Sequence, residues 1–185
     1  MRTITVAEFI SLDGVVESPE RWHMRYVDAE MMAVMYPADS DLDTMLLGRT
    51  TYDSFAGAFA HAPQGDPVAT RMNALTKAVV TSEPDTVTWA NSTALTGDVV
   101  EAVRALKEQP GGSISVIGSI TLARTLLAAG LVDEISLILH PLLVGAGTRL
   151  FPQDGPGATF TLATCTPLTS GVIHLVYTLT SGGKR

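Results

Sequence analysis

Apolar and polar residues alternate from position 3 to 10, which predicts a first strand with one buried face. Apolar runs without that alternation predict strands over 43–48, 78–81, 113–117 and 131–139. Helical spacing separates them. Asp28 stands where an N-cap belongs, ahead of an apolar face of Met31, Met32, Met35 and Tyr36, and Pro37 marks the decline of that helix. Residues 49–55 have the pattern of a helix start, and 67–73 predict a short helix. Val99, Val100, Val103 and Leu106 recur at helical spacing within 96–107, with Asp98 near the start. Ile120, Ala123, Leu126 and Leu127 do the same after 113–117, and Gly130 is the stop. Residues 87–89 predict a further short strand before a polar stretch. At the C-terminus, 159–168 and 172–180 flank Thr169-Ser170-Gly171 and predict an antiparallel hairpin. Strands that alternate with helices up to that point predict an α/β fold, its sheet mostly parallel with an antiparallel C-terminal edge.

Two of the strand-to-helix bends carry chemistry suited to anions. Gly118 and Ser119 follow the strand 113–117 directly and open a helix at Ile120 and Thr121. The first N–H groups of such a helix point into the bend, the helix dipole adds positive charge there, and glycine admits close approach. An ordinary βα turn has the same appearance. Gly48-Arg49-x-Thr51 places a guanidinium and a hydroxyl at the start of the next such helix, an arrangement that matches phosphate oxygens. It is equally the picture of a capping threonine beside a solvated arginine. Arg21, Trp22, His23 and Tyr26 form a polar-tipped aromatic cluster after the first strand, either a pocket wall or loop packing. Asp13-Gly14 is a turn signal.

Composition narrows the class. The chain has 185 residues, 46% of them apolar and 17% charged, as suits one compact domain over 1–180 with a loose tail at 181–185. A net charge of −7 argues against a nucleic-acid or acidic-membrane surface, so an anionic ligand must be met by local donors. The single Cys165 excludes an internal disulfide, and the four histidines show no metal-ligand spacing, so no metal is expected. The N-terminus lacks the apolar region of a signal peptide and no run is long enough to span a bilayer, which predicts a soluble cytoplasmic protein. Gly145-Ala146-Gly147 imitates a dinucleotide glycine motif but precedes Phe151-Pro152 rather than a helix, and is rejected.

Several separated pieces resemble the dihydrofolate reductase superfamily, and more closely the C-terminal reductase domain of riboflavin-biosynthesis deaminase/reductases and its free-standing bacterial relatives. They are Ser11-Leu12-Asp13-Gly14, Leu47-Gly48-Arg49-x-Thr51-Tyr52, Val116-Ile117-Gly118-Ser119, Gly130-Leu131-Val132-Asp133-Glu134, His140-Pro141, Gly145-x-Gly147 and Leu150-Phe151-Pro152. The resemblance implies the three-layer dihydrofolate reductase-like fold, a homodimer and an NADPH site. By resemblance Gly48, Arg49 and Thr51 meet cofactor phosphates, and Thr81-Ser82 matches the hydroxyl pair beside the adenosine 2′-phosphate. Gly118, Ser119, Ile120 and Thr121 match the turn that holds the pyrophosphate. Asp13, Gly14 and Val16 match a mobile loop near nicotinamide and substrate, with Trp22 and Tyr52 as further substrate contacts. Arg49 and Ser82 favour NADPH over NADH. The acid that true dihydrofolate reductases carry on the first helix has no counterpart in Met31-Met32-Ala33, so folate is a poor substrate candidate.

The reading that follows is an NADPH-dependent reductase delivering hydride to a C=N or C=O of a small heterocycle, pterin- or ribosylaminopyrimidine-like. Asp13, Tyr26, Asp28 or water would serve as proton donor. The alternative is a non-catalytic nucleotide-binding protein on the same fold.

Overall fold

The computed structural model describes residues 1–63, 65–155 and 157–180, and the expected tail at 181–185 lies outside them. These residues group into two compact units, one of Met1–Ile4 with Asp41–Leu131, the other of Thr5–Ser40 with the chain from Val132 onward. No helix among the described residues is long and apolar enough to cross a membrane.

The first unit holds β2 (Leu42–Gly48), α2 (Arg49–Phe59), α3 (Pro67–Ala74), β3 (Thr76–Val80), β4 (Ser92–Leu95), α4 (Val99–Glu108), β5 (Ser113–Ile117) and α5 (Ile120–Ala128). Its strands lie in the order β4-β3-β2-β5, every neighbouring pair parallel. The central strands read as apolar runs because both faces are covered. Met45, Leu46, Leu47, Ile114 and Val116 are all fully buried. Asp66 and Asp98 cap α3 and α4 by accepting backbone amides, so each helix starts where its aspartate dictates.

The strand expected over 87–89 is not formed, and β4 lies instead in the following polar stretch. Trp89 is taken up by packing. Its amide donates to the Tyr52 hydroxyl at 2.7 Å, and its Nε1 donates to Asn73 Oδ1 at 2.6 Å. Beneath it, buried Lys77 donates to the Met72 and Asn73 carbonyls at the end of α3, with Nζ 4.3 Å from the Trp89 ring centroid. Burial lowers the Lys77 pKa to about 8. Ser92-Thr93-Ala94-Leu95 pairs on one side only, with β3, and an edge position tolerates its polarity.

The second unit holds β1 (Ile4–Ser11, from Thr5), α1 (Ala29–Met35), β6 (Glu134–His140), β7 (Phe160–Pro167) and β8 (Ile173–Leu179). β1 and β6 are parallel, while β8 runs antiparallel to both β6 and β7. The mostly parallel pairing with an antiparallel C-terminal hairpin is the arrangement that the alternation of elements predicts. Asp28 caps α1, accepting the Met31 amide at 2.8 Å. Met31 then packs against Ile138, Leu168 and Val172, with Phe9, Tyr26, Val34 and Met35 around them.

Candidate functional site

In the first unit β3, β2 and β5 are adjacent and parallel, so the bends at their C-terminal ends share one edge, where open α/β sheets take their ligands. The bends after β2 and β5 are interlocked. The Gly48 amide donates to Ser119 Oγ at 2.8 Å, and the Ser119 amide donates to Thr51 Oγ1 at 2.9 Å. Gly118, at φ +68°, is required here, since a Cβ would come within 2.9 Å of Thr51 Cγ2.

This interlock alters the expected donor set. The amides of Gly48 and Ser119 are engaged within the protein and do not face a ligand. The hydroxyls of Ser119 and Thr51 accept those amides and keep their own O–H protons for donation. The first amides of α5, from Ile120 and Thr121, have no partner one turn back, as at any helix start.

The third bend, after β3, closes a cavity of about 460 Å³ lined by Arg49, Thr81, Ser82, Glu83, Leu95 and Val99 among others. Thr81 Oγ1 accepts the Glu83 amide at 3.0 Å, while the Ser82 side chain is exposed. Arg49 Nε donates to Asp53 Oδ2 at 2.8 Å and its NH1 donates to Thr86 Oγ1. Hydrogen bonding to Asp53 raises the Arg49 pKa further above its usual value. A guanidinium and hydroxyls beside apolar Val80, Leu95 and Val99 make a lining that suits a phosphorylated nucleoside. Glu83, in the same cavity, is the one group there of the wrong sign.

Tyr52 is not a substrate wall. It is 2% exposed, and its hydroxyl is the acceptor of the Trp89 amide.

In the second unit the Asp13 turn is anchored rather than loose. Ser11 N donates to Val15 O, Leu12 N to Leu142 O, Val16 N to Thr148 O and Leu150 N to Gly14 O. Gly14 sits at φ +82°, as the Asp-Gly turn demands, and Val16 is buried within the packing at 3% exposure, not presented to a ligand. Asp13 Oδ1 accepts Ser11 Oγ at 2.7 Å and the Val144 amide at 3.0 Å, and Oδ2 accepts the Gly145 amide at 2.8 Å. Those bonds, the one from Ser11 foremost, lower its pKa to about 2. Asp13 is therefore a carboxylate at neutral pH and is corrected from proton donor to charged acceptor. Asp28 is occupied otherwise, its Oδ1 accepting the Met31 amide as the α1 cap.

Trp22 lines a second cavity of about 360 Å³ with Glu17, Arg21, Leu142, Leu143 and Val144. The Tyr26 hydroxyl accepts from Arg25 at 3.0 Å. One residue of this region carries more than the sequence signals. His140 is fully buried, boxed by the rings of Trp22 at 5.1 Å, Tyr26 at 5.3 Å, Phe9 at 5.7 Å and His23 at 6.0 Å. Its Nδ1 donates to the Ile138 carbonyl at 2.9 Å, while Nε2 has no partner among the described residues. Burial lowers the pKa to about 4, so the ring is neutral.

The profile of the RibD C-terminal domain family matches residues 2–174. The chain belongs to that family. Membership supports a reductase-type function and an oxidoreductase class. The Bacillus subtilis (strain 168) protein YyaP is 26% identical over 181 residues, covering 95% of this chain and 94% of that one. A protein assigned to riboflavin biosynthesis from Shewanella sp. PV-4 shares the fold with a TM-score of 0.70 at 18% identity, covering 96% of this chain and 99% of that one. Dihydrofolate reductase from Enterococcus faecalis, solved with NADP(H) and RAB-propyl, has a TM-score of 0.64 at 15% identity and 97% coverage of each chain. These likenesses bear out the dihydrofolate reductase-like fold expected from the motifs.

Proposed function

We infer that the protein is an NADPH-dependent reductase that delivers hydride to a C=N or C=O of a small heterocycle, pterin- or ribosylaminopyrimidine-like. What supports it is family membership together with one structural observation: three neighbouring bends that bring Arg49, Thr51, Ser82 and the start of α5 to a single sheet edge. When bound, the nicotinamide supplies the hydride. The protein's part is to bind and orient. Arg49 and Ser82 take the adenosine 2′-phosphate, and the O–H groups of Ser119 and Thr51 with the amides of Ile120 and Thr121 take the pyrophosphate.

In the second unit Trp22 contributes a flat apolar surface to the substrate cavity. Asp13 contributes fixed negative charge suited to an N–H of a heterocycle. The Tyr26 hydroxyl accepts from Arg25 and keeps its own proton, which makes it or water the donor at the reduced atom. A non-catalytic nucleotide-binding role is the second reading, favoured by the ionised state of Asp13.

The test is NADPH titration by fluorescence, followed by oxidation at 340 nm with pterin, ribosylaminopyrimidine and carbonyl panels. Tight binding without turnover on any panel selects the second reading. Arg49→Ala is expected to raise the NADPH KM far more than the NADH one, through a charge-assisted contact of about 1.5–3 kcal/mol. Equal effects on the two cofactors refute the assignment of Arg49.

A further inference from the structure

Arg49 is held before any ligand arrives. Its Nε donates to Asp53 Oδ2 at 2.8 Å, one turn further along α2, and its NH1 donates to Thr86 Oγ1. Thr86 ends the short 3-10 turn Pro84–Thr86, and its hydroxyl donates to the Glu83 carbonyl at 2.5 Å. The Glu83 amide in turn donates to Thr81 Oγ1 at 3.0 Å. A continuous chain of hydrogen bonds therefore runs from the guanidinium on α2, through Thr86, into the turn that carries Ser82. Arg49, Thr81, Ser82 and Glu83 all line the same cavity.

A guanidinium is a planar fork of five N–H donors on a flexible stem, and ordering that stem on binding costs conformational entropy. Two fixed acceptors, Asp53 and Thr86, set the plane of the fork in advance and leave its remaining donors for a ligand. Net charge does little here. Asp53 offsets the cation, and Glu83 places a carboxylate in the cavity, so recognition of a phosphate must come from orientation.

We propose that Thr86 and Asp53 are positioning residues that fix the Arg49 fork against the Ser82 turn and thereby set discrimination between dinucleotides with and without a phosphate on the adenosine ribose. The proposal rests on reading the first unit as a nicotinamide-dinucleotide site.

The experiment compares wild type with Thr86→Val, Thr86→Ser and Asp53→Asn. Dissociation constants for NADPH and NADH, and for adenosine 2′-monophosphate and adenosine 5′-monophosphate, are read by fluorescence titration beside the melting temperature. Thr86→Val is expected to weaken NADPH and the 2′-phosphate probe by about five- to tenfold, the loss of one oriented hydrogen bond, with NADH unchanged. Thr86→Ser restores the wild-type ratio, and Asp53→Asn lowers it in the same direction. An unchanged ratio in a Thr86→Val protein of normal melting temperature overturns the inference, as does an equal loss for both dinucleotides. A ratio that rises in Asp53→Asn shows that Asp53 acts only as an opposing charge and removes it from the proposal. If wild type does not distinguish NADPH from NADH, the cofactor reading falls and takes the inference with it. If wild type distinguishes them and the variants do so to the same extent, the inference alone fails.

Discussion

At the scale of single residues, two buried ionisable groups of the second unit respond to pH in opposite senses. Glu8, 6% exposed on β1 with Oε1 unpartnered among the described residues, has its pKa pushed well up by burial. It disfavours the folded state as pH rises above its ordinary 4.5. His140 works the other way. Its pKa falls from 6.5 unfolded to about 4 folded, so on acidification the unfolded chain takes up the proton first. Its effect on stability is nil above pH 6.5 and becomes a loss as pH falls from 6.5 toward 4. The loss from this one group, complete below pH 4, is about 3 kcal/mol. In His140→Gln, the slope of unfolding free energy against pH, measured by urea denaturation, is expected to become less positive across that window, leaving the opposing Glu8 contribution. An undiminished slope refutes the assignment. The sequence shows His140 only beside Pro141 in an apolar strand. The box around it draws Phe9, Trp22, His23 and Tyr26 from other segments, and no spacing rule reports such a meeting.

At the scale of elements, β2 and β5 are stitched together at the end opposite the bends. Arg2 is 8% exposed and donates to the Gly112 carbonyl at 2.6 Å and to Thr44 Oγ1 at 2.7 Å, and it pairs with Asp43. The Gly112 amide donates to Asp43 Oδ2 at 2.6 Å. A Cβ on Gly112 would collide with the Asp41 carbonyl oxygen, backbone that cannot swing aside. Gly112→Ala is therefore expected to cost about 2–4 kcal/mol of stability, read as a lowered melting temperature. A change below ~0.5 kcal/mol contradicts the packing described.

The elements themselves were legible wherever local chemistry decides them. Asp28 and Asp98 start helices by capping, and the apolar run from Met45 to Leu47 has no alternative to a buried strand. Ser92–Leu95 was not legible, because a polar edge strand looks like a loop until its partner is known. The bends at Gly48 and Gly118 are legible as strand-to-helix junctions. Their mutual hydrogen bonds, across 71 and 68 residues of sequence, are not.

At the scale of the whole molecule, the second unit leaves apolar surface uncovered. Leu137 pairs with Leu175 and Leu139 with Ile173 across β6 and β8, all four only partly buried, and Leu162 on β7 is 49% exposed. A second copy of the chain is the expected cover. Light scattering at micromolar concentration should return about twice the 19.6 kDa chain mass, and a monomer refutes it. The sequence carries the dimer as an expectation, through the family resemblance and the apolar run 131–139, but it does not show which leucines share the face.

The two tryptophans divide between the units, Trp89 sealed against Lys77 in the first and Trp22 at the mouth of a cavity in the second. Replacing Trp22 by phenylalanine leaves an emitter that reports only on the first unit, and replacing Trp89 leaves one that reports only on the second. Heating or titrating the two single-emitter proteins side by side then tells whether the halves melt and respond as one body or in sequence.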